Sequence, residues 1–211
     1  KGNIDEMIEY LKSSTKLNPK YAEGHFNLGI IYLKKGDFDN AIHSFLKTIK
    51  IRPEDSNALN MLGVAFLQKG SINSSISCYS KAIKLNPHNE KIYNNLAIAY
   101  SKSGDLEGAL STYLKSLKID SNSFSTLFNL GRIYQQKGDL EKALETFEKI
   151  LKLKNINSLD LVFNEIGITL HKKEDFHSAI KSYLKAIELN KNSIQFYNNL
   201  GYAQFEIEDF D

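Results

Sequence analysis

Asparagine recurs in this chain at intervals of about 34 residues, or at multiples of that interval. One row of asparagines consists of Asn27, Asn95, Asn129 and Asn199. A second row, one residue earlier in the interval, consists of Asn60, Asn94, Asn164 and Asn198. An asparagine amide carries both a donor and an acceptor, so it can pair with a peptide unit of any sequence. Amides at this spacing predict a ladder that binds the backbone of an extended polypeptide.

Apolar and basic side chains accompany the asparagines at the same interval. The apolar residues are Ile30, Val64, Ile98 and Ile168. The basic residues predicted to contribute to peptide binding are Lys102, Arg132 and Lys172. Apolar side chains on a polar face favour either contact with a partner or burial between tightly packed helices. The basic residues favour acidic or neutral peptides, although lysines near a helix C-terminus are also stabilised by the helix dipole.

A second explanation of the asparagines does not require a ligand. Asparagine is abundant throughout the chain, and exposed polar residues on a helix usually need no special function. Met61 and Glu165 also interrupt the first row. The amide ladder and the ordinary polar surface therefore stand as alternatives at this point.

Other residues capable of chemistry are scattered. The histidines are His25, His43, His88, His171 and His177, and no two of them have the spacing of metal ligands on one helical turn. Nothing in the sequence suggests a base beside the single cysteine, Cys78. Glycine-rich phosphate loops and nucleophile elbows are absent from the sequence. The sequence therefore predicts no catalytic constellation, no metal site and no cofactor.

A repeated pair of amphipathic helices would position these side chains. The copies align with Gly29, Gly63, Ala97, Gly131 and Gly167 at position 8 of the repeat. Positions 4, 7, 8 and 11 are then apolar or small and share one face of a first helix, because successive residues turn by about 100°. Positions 2, 5, 6, 9 and 13 lie on the opposite face, so both asparagine rows are predicted to be accessible.

A turn and a second helix complete each copy. Glycine followed by Asp or Ser predicts the turn, as at Gly36 and Gly70, because glycine accepts the left-handed conformation that ends a helix. Small and aromatic residues follow at helical spacing, as in Ala41 and Phe45, and Pro53 ends the second helix.

This pattern resembles the tetratricopeptide repeat over nearly the whole chain. The residues that carry the resemblance are L-G-x-x-Y, then Gly, Ala, an aromatic residue, Ala and Pro at fixed offsets. The resemblance implies an all-α fold, a right-handed superhelix (an α-α solenoid) of about twelve antiparallel helices, with the first helices lining the concave side. The asparagine row is similar to the asparagine ladder in the tetratricopeptide superhelix of O-linked N-acetylglucosamine transferases, where this position grips the substrate backbone. The carboxylate clamp found in some members is not matched by any three successive copies.

The repeat register predicts a single array over residues 1–211. Its parts are a partial repeat 1–21, the repeats 22–55, 56–89, 90–123, 124–159 and 160–193, and a partial repeat 194–211. Glu174 replaces the turn glycine, and repeat 124–159 carries two extra residues near Asn155–Leu159. That insertion predicts a local change in the stacking of the repeats.

The predicted function is a non-enzymatic scaffold that binds an extended segment of another protein in its concave groove. One alternative is the substrate-recruiting arm of a larger enzyme, such as a glycosyltransferase. Another is RNA binding by helical repeats, which the net charge of +2 and the lack of a consistently basic groove disfavour. We expect no nucleic-acid partner, no membrane insertion, a cytoplasmic location, and end-to-end self-association through uncapped helices near 3–17 and 194–207.

Overall fold

The computed structural model describes residues 4–210, and the side chains as far as residue 207. This part of the chain forms twelve α-helices and contains no strand, which confirms the predicted all-α class. The helices are α1 (Ile4–Leu17), α2 (Ala22–Lys35), α3 (Phe38–Ile51), α4 (Ser56–Gln68), α5 (Ile72–Leu85), α6 (Glu90–Ser103), α7 (Leu106–Ile119), α8 (Phe124–Lys137), α9 (Leu140–Leu151), α10 (Leu159–Lys172), α11 (Phe176–Leu189) and α12 (Ile194–Phe210). The even-numbered helices are the first helices of the repeats, and the odd-numbered helices are the second.

The helices form two compact units, Lys1–Thr112 and Tyr113–Asp211, with the boundary inside α7. In the first unit, α2 packs on α3 and α4 on α5, and the successive pairs meet through α3 with α4 and α5 with α6. In the second unit, α8 packs on α9, α10 on α11, and α12 on α11. Each unit is therefore a solenoid of helical hairpins. A single array over all 211 residues stays a prediction.

Close contact between a glycine and an aromatic ring joins the two helices of a hairpin. A Cβ atom on Gly63 would lie 2.6 Å from a ring carbon of Tyr79, and one on Gly131 would lie 2.5 Å from the ring of Phe147. Both rings are fully buried. The first helix therefore lies with its backbone directly on the ring of the second, and its opposite face is left uncovered by that second helix.

The turn between the two helices follows the predicted chemistry. Gly36 has φ 79° and Gly70 has φ 86°, so both are in the left-handed region. Asp37, which follows Gly36, accepts a hydrogen bond at Oδ1 from the backbone N–H of Asn40 and so caps α3. These interactions end one helix and begin the next within two residues.

The two extra residues of the fourth repeat lie in a connection between helices. Helix α9 has 12 residues, whereas α3, α5 and α11 have 14 each. The connection runs over residues 152–158, and within it Asn155 has φ 60°. The insertion is therefore accommodated outside the helices, and α10 begins at Leu159.

Replacing Glu174 by glycine is expected to raise the free energy of unfolding by about 1 kcal/mol. Glu174 has φ 63° at the position where the other turns carry glycine, and a side chain in this region crowds the backbone. Urea unfolding followed by circular dichroism measures the gain. Introducing a side chain at the same turn position of the preceding repeat, Gly138→Ala, serves as the control and is expected to lose stability, because Gly138 has φ 78°. A Glu174→Gly variant no more stable than the parent would contradict this account of the turn.

Candidate functional site

The surface opposite the second helices is formed by positions 2, 6, 9 and 13 of the first helices. We call it the first-helix face, and it is described separately for each unit. In the first unit it consists of Glu23, Asn27, Ile30 and Lys34 of α2, Asn57, Met61, Val64 and Gln68 of α4, and Lys91, Asn95, Ile98 and Lys102 of α6. In the second unit it consists of Ser125, Asn129, Arg132 and Gln136 of α8, Leu161, Glu165, Ile168 and Lys172 of α10, and Gln195, Asn199, Tyr202 and Glu206 of α12. Each of these residues is exposed or half-buried, so both faces are open to solvent.

The second asparagine row lies mostly inside the packing. Asn60, Asn94 and Asn164 are 7%, 9% and 3% exposed, whereas Asn198 is exposed. Position 5 is at the edge of the face, and the first helix of the next repeat can cover it, as α6 contacts α4. A single-helix projection does not include that neighbour, which is why the sequence analysis placed these three residues on the accessible surface.

Amide pairs connect the two asparagine rows across successive repeats. Asn95 donates from Nδ2 to Oδ1 of Asn60 at 3.0 Å in the first unit. Asn199 donates from Nδ2 to Oδ1 of Asn164 at 2.8 Å in the second. In each pair, the half-buried amide at position 6 uses one N–H, and its carbonyl oxygen and second N–H can still form hydrogen bonds with a ligand. The buried asparagine thus fixes the orientation of a more accessible one.

The apolar residues of the face contribute to the core and are also partly accessible. Ile30, Val64, Ile98 and Ile168 are half-buried and pack against the core clusters of their units. The two interpretations of these residues from the sequence are therefore compatible, since one side of each side chain packs and the other faces solvent. The basic residues Lys102, Arg132 and Lys172 are exposed.

At position 6 of α10, glutamate replaces asparagine and takes part in a polar network. Glu165 stands there, with Oε1 3.7 Å from Nε of Arg132. Gln135 donates from Nε2 to the backbone oxygen of Glu165 at 3.0 Å and to Oγ1 of Thr169 at 2.7 Å. This network was not predicted from the sequence. The available signal was Thr169, because position 10 is Ile or Ala in the earlier copies, for example Ile133.

Replacing Glu165 by glutamine is expected to raise stability at neutral pH, and the gain should shrink as the pH is lowered. Burial raises the pKa of the Glu165 carboxyl, while Arg132, Gln135 and Lys172 oppose that shift. A raised carboxyl pKa means that the folded protein binds this proton more readily than the unfolded chain. The stability contributed by this carboxyl is therefore present at low pH and is lost as the pH rises through the folded pKa.

Urea unfolding at several pH values between about 4 and 7 would measure this difference. Glu141→Gln is the control, because the hydrogen bond from Lys173 lowers the pKa of the Glu141 carboxyl and reverses the sign. A Glu165→Gln effect that is constant over the pH range would contradict the assignment.

The remaining reactive side chains do not assemble into a second kind of site. In the described part of the chain, no three His, Cys, Asp or Glu residues are grouped so that they could hold a metal ion. Cys78 is buried in the core of the first unit, and its burial raises the pKa of the thiol. Within the same residues, no helix combines the length and the apolar character needed to cross a bilayer.

Stacked helical hairpins with an open first-helix face define a helical-repeat protein. Models of the tetratricopeptide repeat match residues 22–55, 65–104, 89–156 and 167–207. Taken together, these matches cover most of the chain, and the protein belongs to the tetratricopeptide repeat family. The predicted family is confirmed. A search of curated protein sequences found no match.

Solved structures of other proteins share this fold. MamA is 24% identical, with a TM-score of 0.69 over 81% of this chain and 92% of its own. YrrB, described as a TPR protein with an unusual peptide-binding site, is 17% identical, with a TM-score of 0.68 over 90% of this chain and 97% of its own. Pseudomonas aeruginosa PilF is 16% identical, with a TM-score of 0.78 over 97% of this chain and 90% of its own. At these identities the likeness shows the fold alone. Membership of the tetratricopeptide repeat family supports a protein-interaction scaffold.

Proposed function

We propose that this protein binds an extended segment of a partner protein along its first-helix face. The observation that carries the proposal is the oriented amide at position 6, as in Asn95 and Asn199. Each of these amides is held by an asparagine of the preceding repeat and retains a donor and an acceptor. An extended peptide offers the complementary N–H and C=O groups, whatever its side chains.

The spacing of the repeats suits an extended guest. Packed helices lie about 8–10 Å apart, and an extended chain advances about 3.3 Å per residue. A peptide crossing the first helices would therefore present a peptide unit to each successive repeat after about three residues. Where the position-6 amide is oriented, as at Asn95 and Asn199, it lowers the entropic cost of binding, because its rotamer is fixed before the guest arrives.

The side chains beside the amides supply the preference for particular peptides. In the first unit, half-buried Ile30, Val64 and Ile98 offer aliphatic contact. In the second unit, Leu161 and Tyr202 are 43% and 69% exposed, so this face offers larger apolar surfaces. Exposed lysines such as Lys102 and Lys172 favour guests without excess positive charge. YrrB, with its peptide-binding site, supports peptide binding as a use of this fold.

Peptides selected from a random display library provide the test. The Kd of a selected peptide is measured by isothermal titration for the parent and for the double variant Asn95→Ala with Asn199→Ala, which removes the oriented amide from the face of each unit. Loss of the amide contact on the occupied face is expected to weaken binding about fivefold or more. Asn73→Ala is the matched control, since it removes an exposed amide from the second helix α5. Equal affinity of all three proteins would contradict the proposal.

The predicted end-to-end self-association can be measured on the same protein. Helix α1 exposes Met7 and Tyr10, which are 49% and 73% exposed, and α12 exposes Tyr197 and Phe205, which are 50% and 61% exposed. Sedimentation velocity over a range of concentrations is expected to reveal weak association. A Tyr10→Ser with Phe205→Ser variant is expected to remain monomeric.

A further inference from the structure

A cleft of about 1010 Å³ lies in the first unit between α1 and α3, with α2 as its floor. Five lysines line it: Lys12, Lys16, Lys20, Lys47 and Lys50. His25 and His43 line it as well, and none of its lining residues is Asp or Glu. Because its walls are second helices, this cleft is separate from the first-helix face.

The corresponding cleft of the next repeat has a different character. It lies between α3 and α5 above α4 and has a volume of about 470 Å³. Leu46, Ile49 and Leu59 occupy the positions that correspond to Lys12, Thr15 and His25. The α1 wall and the floor at His25 therefore differ from the next repeat, and Glu54 stands there where the first cleft has Lys20. The lysines of α3, Lys47 and Lys50, recur in that repeat as Lys81 and Lys84.

The positive charge of the cleft is largely uncompensated within the protein. Lys16, Lys20, Lys47 and Lys50 form no ion pair with any residue that the structure describes. Lys12 pairs with Glu9 at 3.0 Å, and both side chains are exposed. Like charges gathered around a concave surface raise the local potential and attract anionic ligands.

The floor of the cleft adds an apolar element. Leu28 and Tyr32 of α2 line it, with His25 one turn before Leu28. His25 is 5% exposed, and its Nε2 lies 3.1 Å from the backbone oxygen of Pro19, which holds the ring in place. An occupant that matches this cleft has carboxylates at its edges and an apolar side chain directed at the floor.

The distribution of the lysines favours a peptide over a single phosphate group. Lys12 and Lys16 are one helical turn apart on α1, and Lys47 and Lys50 are three residues apart on α3, about 6 Å and 4.5 Å along their helices. The five lysines therefore come from two helices that form the walls of the cleft and from the loop that follows α1. No arginine lines the cleft, so the planar fork that binds phosphate in bidentate fashion is absent from it.

We propose that the cleft is a second docking site, which binds an acidic segment of a partner protein through carboxylates on both sides of one apolar residue. The lysines of α1 and α3 pair with the carboxylates, and the apolar side chain lies against Leu28 and Tyr32. Binding here does not require the amides of the first-helix face. A partner can therefore be held at two places on the first unit, which increases avidity when one chain carries both segments.

The probe is the fluorescein-labelled peptide Gly-Asp-Glu-Leu-Glu-Asp-Gly, and binding is measured by fluorescence anisotropy in about 50 mM salt, below physiological ionic strength. The variant Lys47→Glu with Lys50→Glu is expected to weaken binding at least about fivefold. Its control is Lys81→Glu with Lys84→Glu, which makes the same charge change at the corresponding positions of α5. All four lysines are exposed, so both variants should keep the circular dichroism spectrum of the parent.

Three further measurements decide between this proposal and simpler explanations. Replacing the leucine of the probe by serine is expected to weaken binding, and Asn95→Ala in the protein is expected to leave it unchanged. Equal losses in the two lysine variants would overturn the proposal in favour of non-specific attraction by net charge. Displacement of the probe by inorganic phosphate at the probe's own concentration would overturn it in favour of a small-anion site, and the absence of probe binding would overturn it outright.

Discussion

Replacing Gly63 by valine is expected to lower the free energy of unfolding by about 3 kcal/mol. The Cβ of any new side chain would lie 2.6 Å from the ring of Tyr79, which is fully buried and has little room to move. Either α4 must lift from α5 or the ring must leave its position. Valine is chosen because the third repeat carries alanine at this position, as Ala97, so that a single methyl group is tolerated in one copy.

Gly201 provides a matched control for Gly63. It occupies the same position of the repeat in α12, but nothing lies within 4 Å of where its Cβ would be. Gly201→Val is therefore expected to change stability by less than about 0.5 kcal/mol, since valine is a somewhat better helix former than glycine. Urea unfolding followed by circular dichroism measures both variants. Equal destabilisation at the two positions would show that contact with the ring does not fix the hairpin.

The second large effect concerns the amide pair of the second unit. Asn164→Ala is expected to cost about 1–3 kcal/mol, because it removes a buried acceptor and leaves its partner Asn199 without the hydrogen bond. The double variant with Asn199→Ala is expected to be more stable than the sum of the single effects predicts. The expected coupling energy between the two substitutions is about 0.5–1.5 kcal/mol, and it measures what the hydrogen bond between Asn164 and Asn199 contributes to stability.

Asn198 supplies the control for this double-mutant cycle. It is adjacent to Asn199 in the sequence but exposed, so Asn164→Ala and Asn198→Ala are expected to be additive. If the Asn164 and Asn199 effects were additive as well, the hydrogen bond between them would contribute nothing to stability. The orientation of the position-6 amide would then have another cause.

The hairpins were predictable because each depends on residues close together in the sequence. Glycine at position 8, the aromatic residue of the second helix and the Gly-Asp turn all recur at fixed offsets. Local chemistry of this kind determines where a helix ends and which face it buries. Even the exception at Glu174 keeps the left-handed conformation of the glycine that it replaces.

Contacts between repeats were harder to predict. The burial of Asn60 and Asn164 depends on the first helix of the next repeat, which a projection of one helix does not contain. Gln135 and Thr169 meet for the same reason, although they are 34 residues apart. A polar residue at an otherwise apolar position was the only sign of such a contact in the sequence.

The basic cleft was missed because its lysines come from three segments of the chain. Lys16 on α1, Lys20 in the following loop and Lys47 on α3 are separate in sequence and gather only in the fold. Taken one helix at a time, a lysine looks like an ordinary solvated residue. The comparison that identifies the cleft is between corresponding positions of two adjacent repeats, such as His25 and Leu59.

The most direct test of the account is to map where a guest polypeptide binds. A display-selected peptide is titrated into ¹⁵N-labelled protein, and the backbone and asparagine side-chain amide signals are followed by NMR. The largest shifts are expected on the first-helix face of one unit and should include the side-chain signal of Asn95 or Asn199. Shifts confined to the second helices and connecting turns, with both of those side-chain signals unmoved, would contradict it.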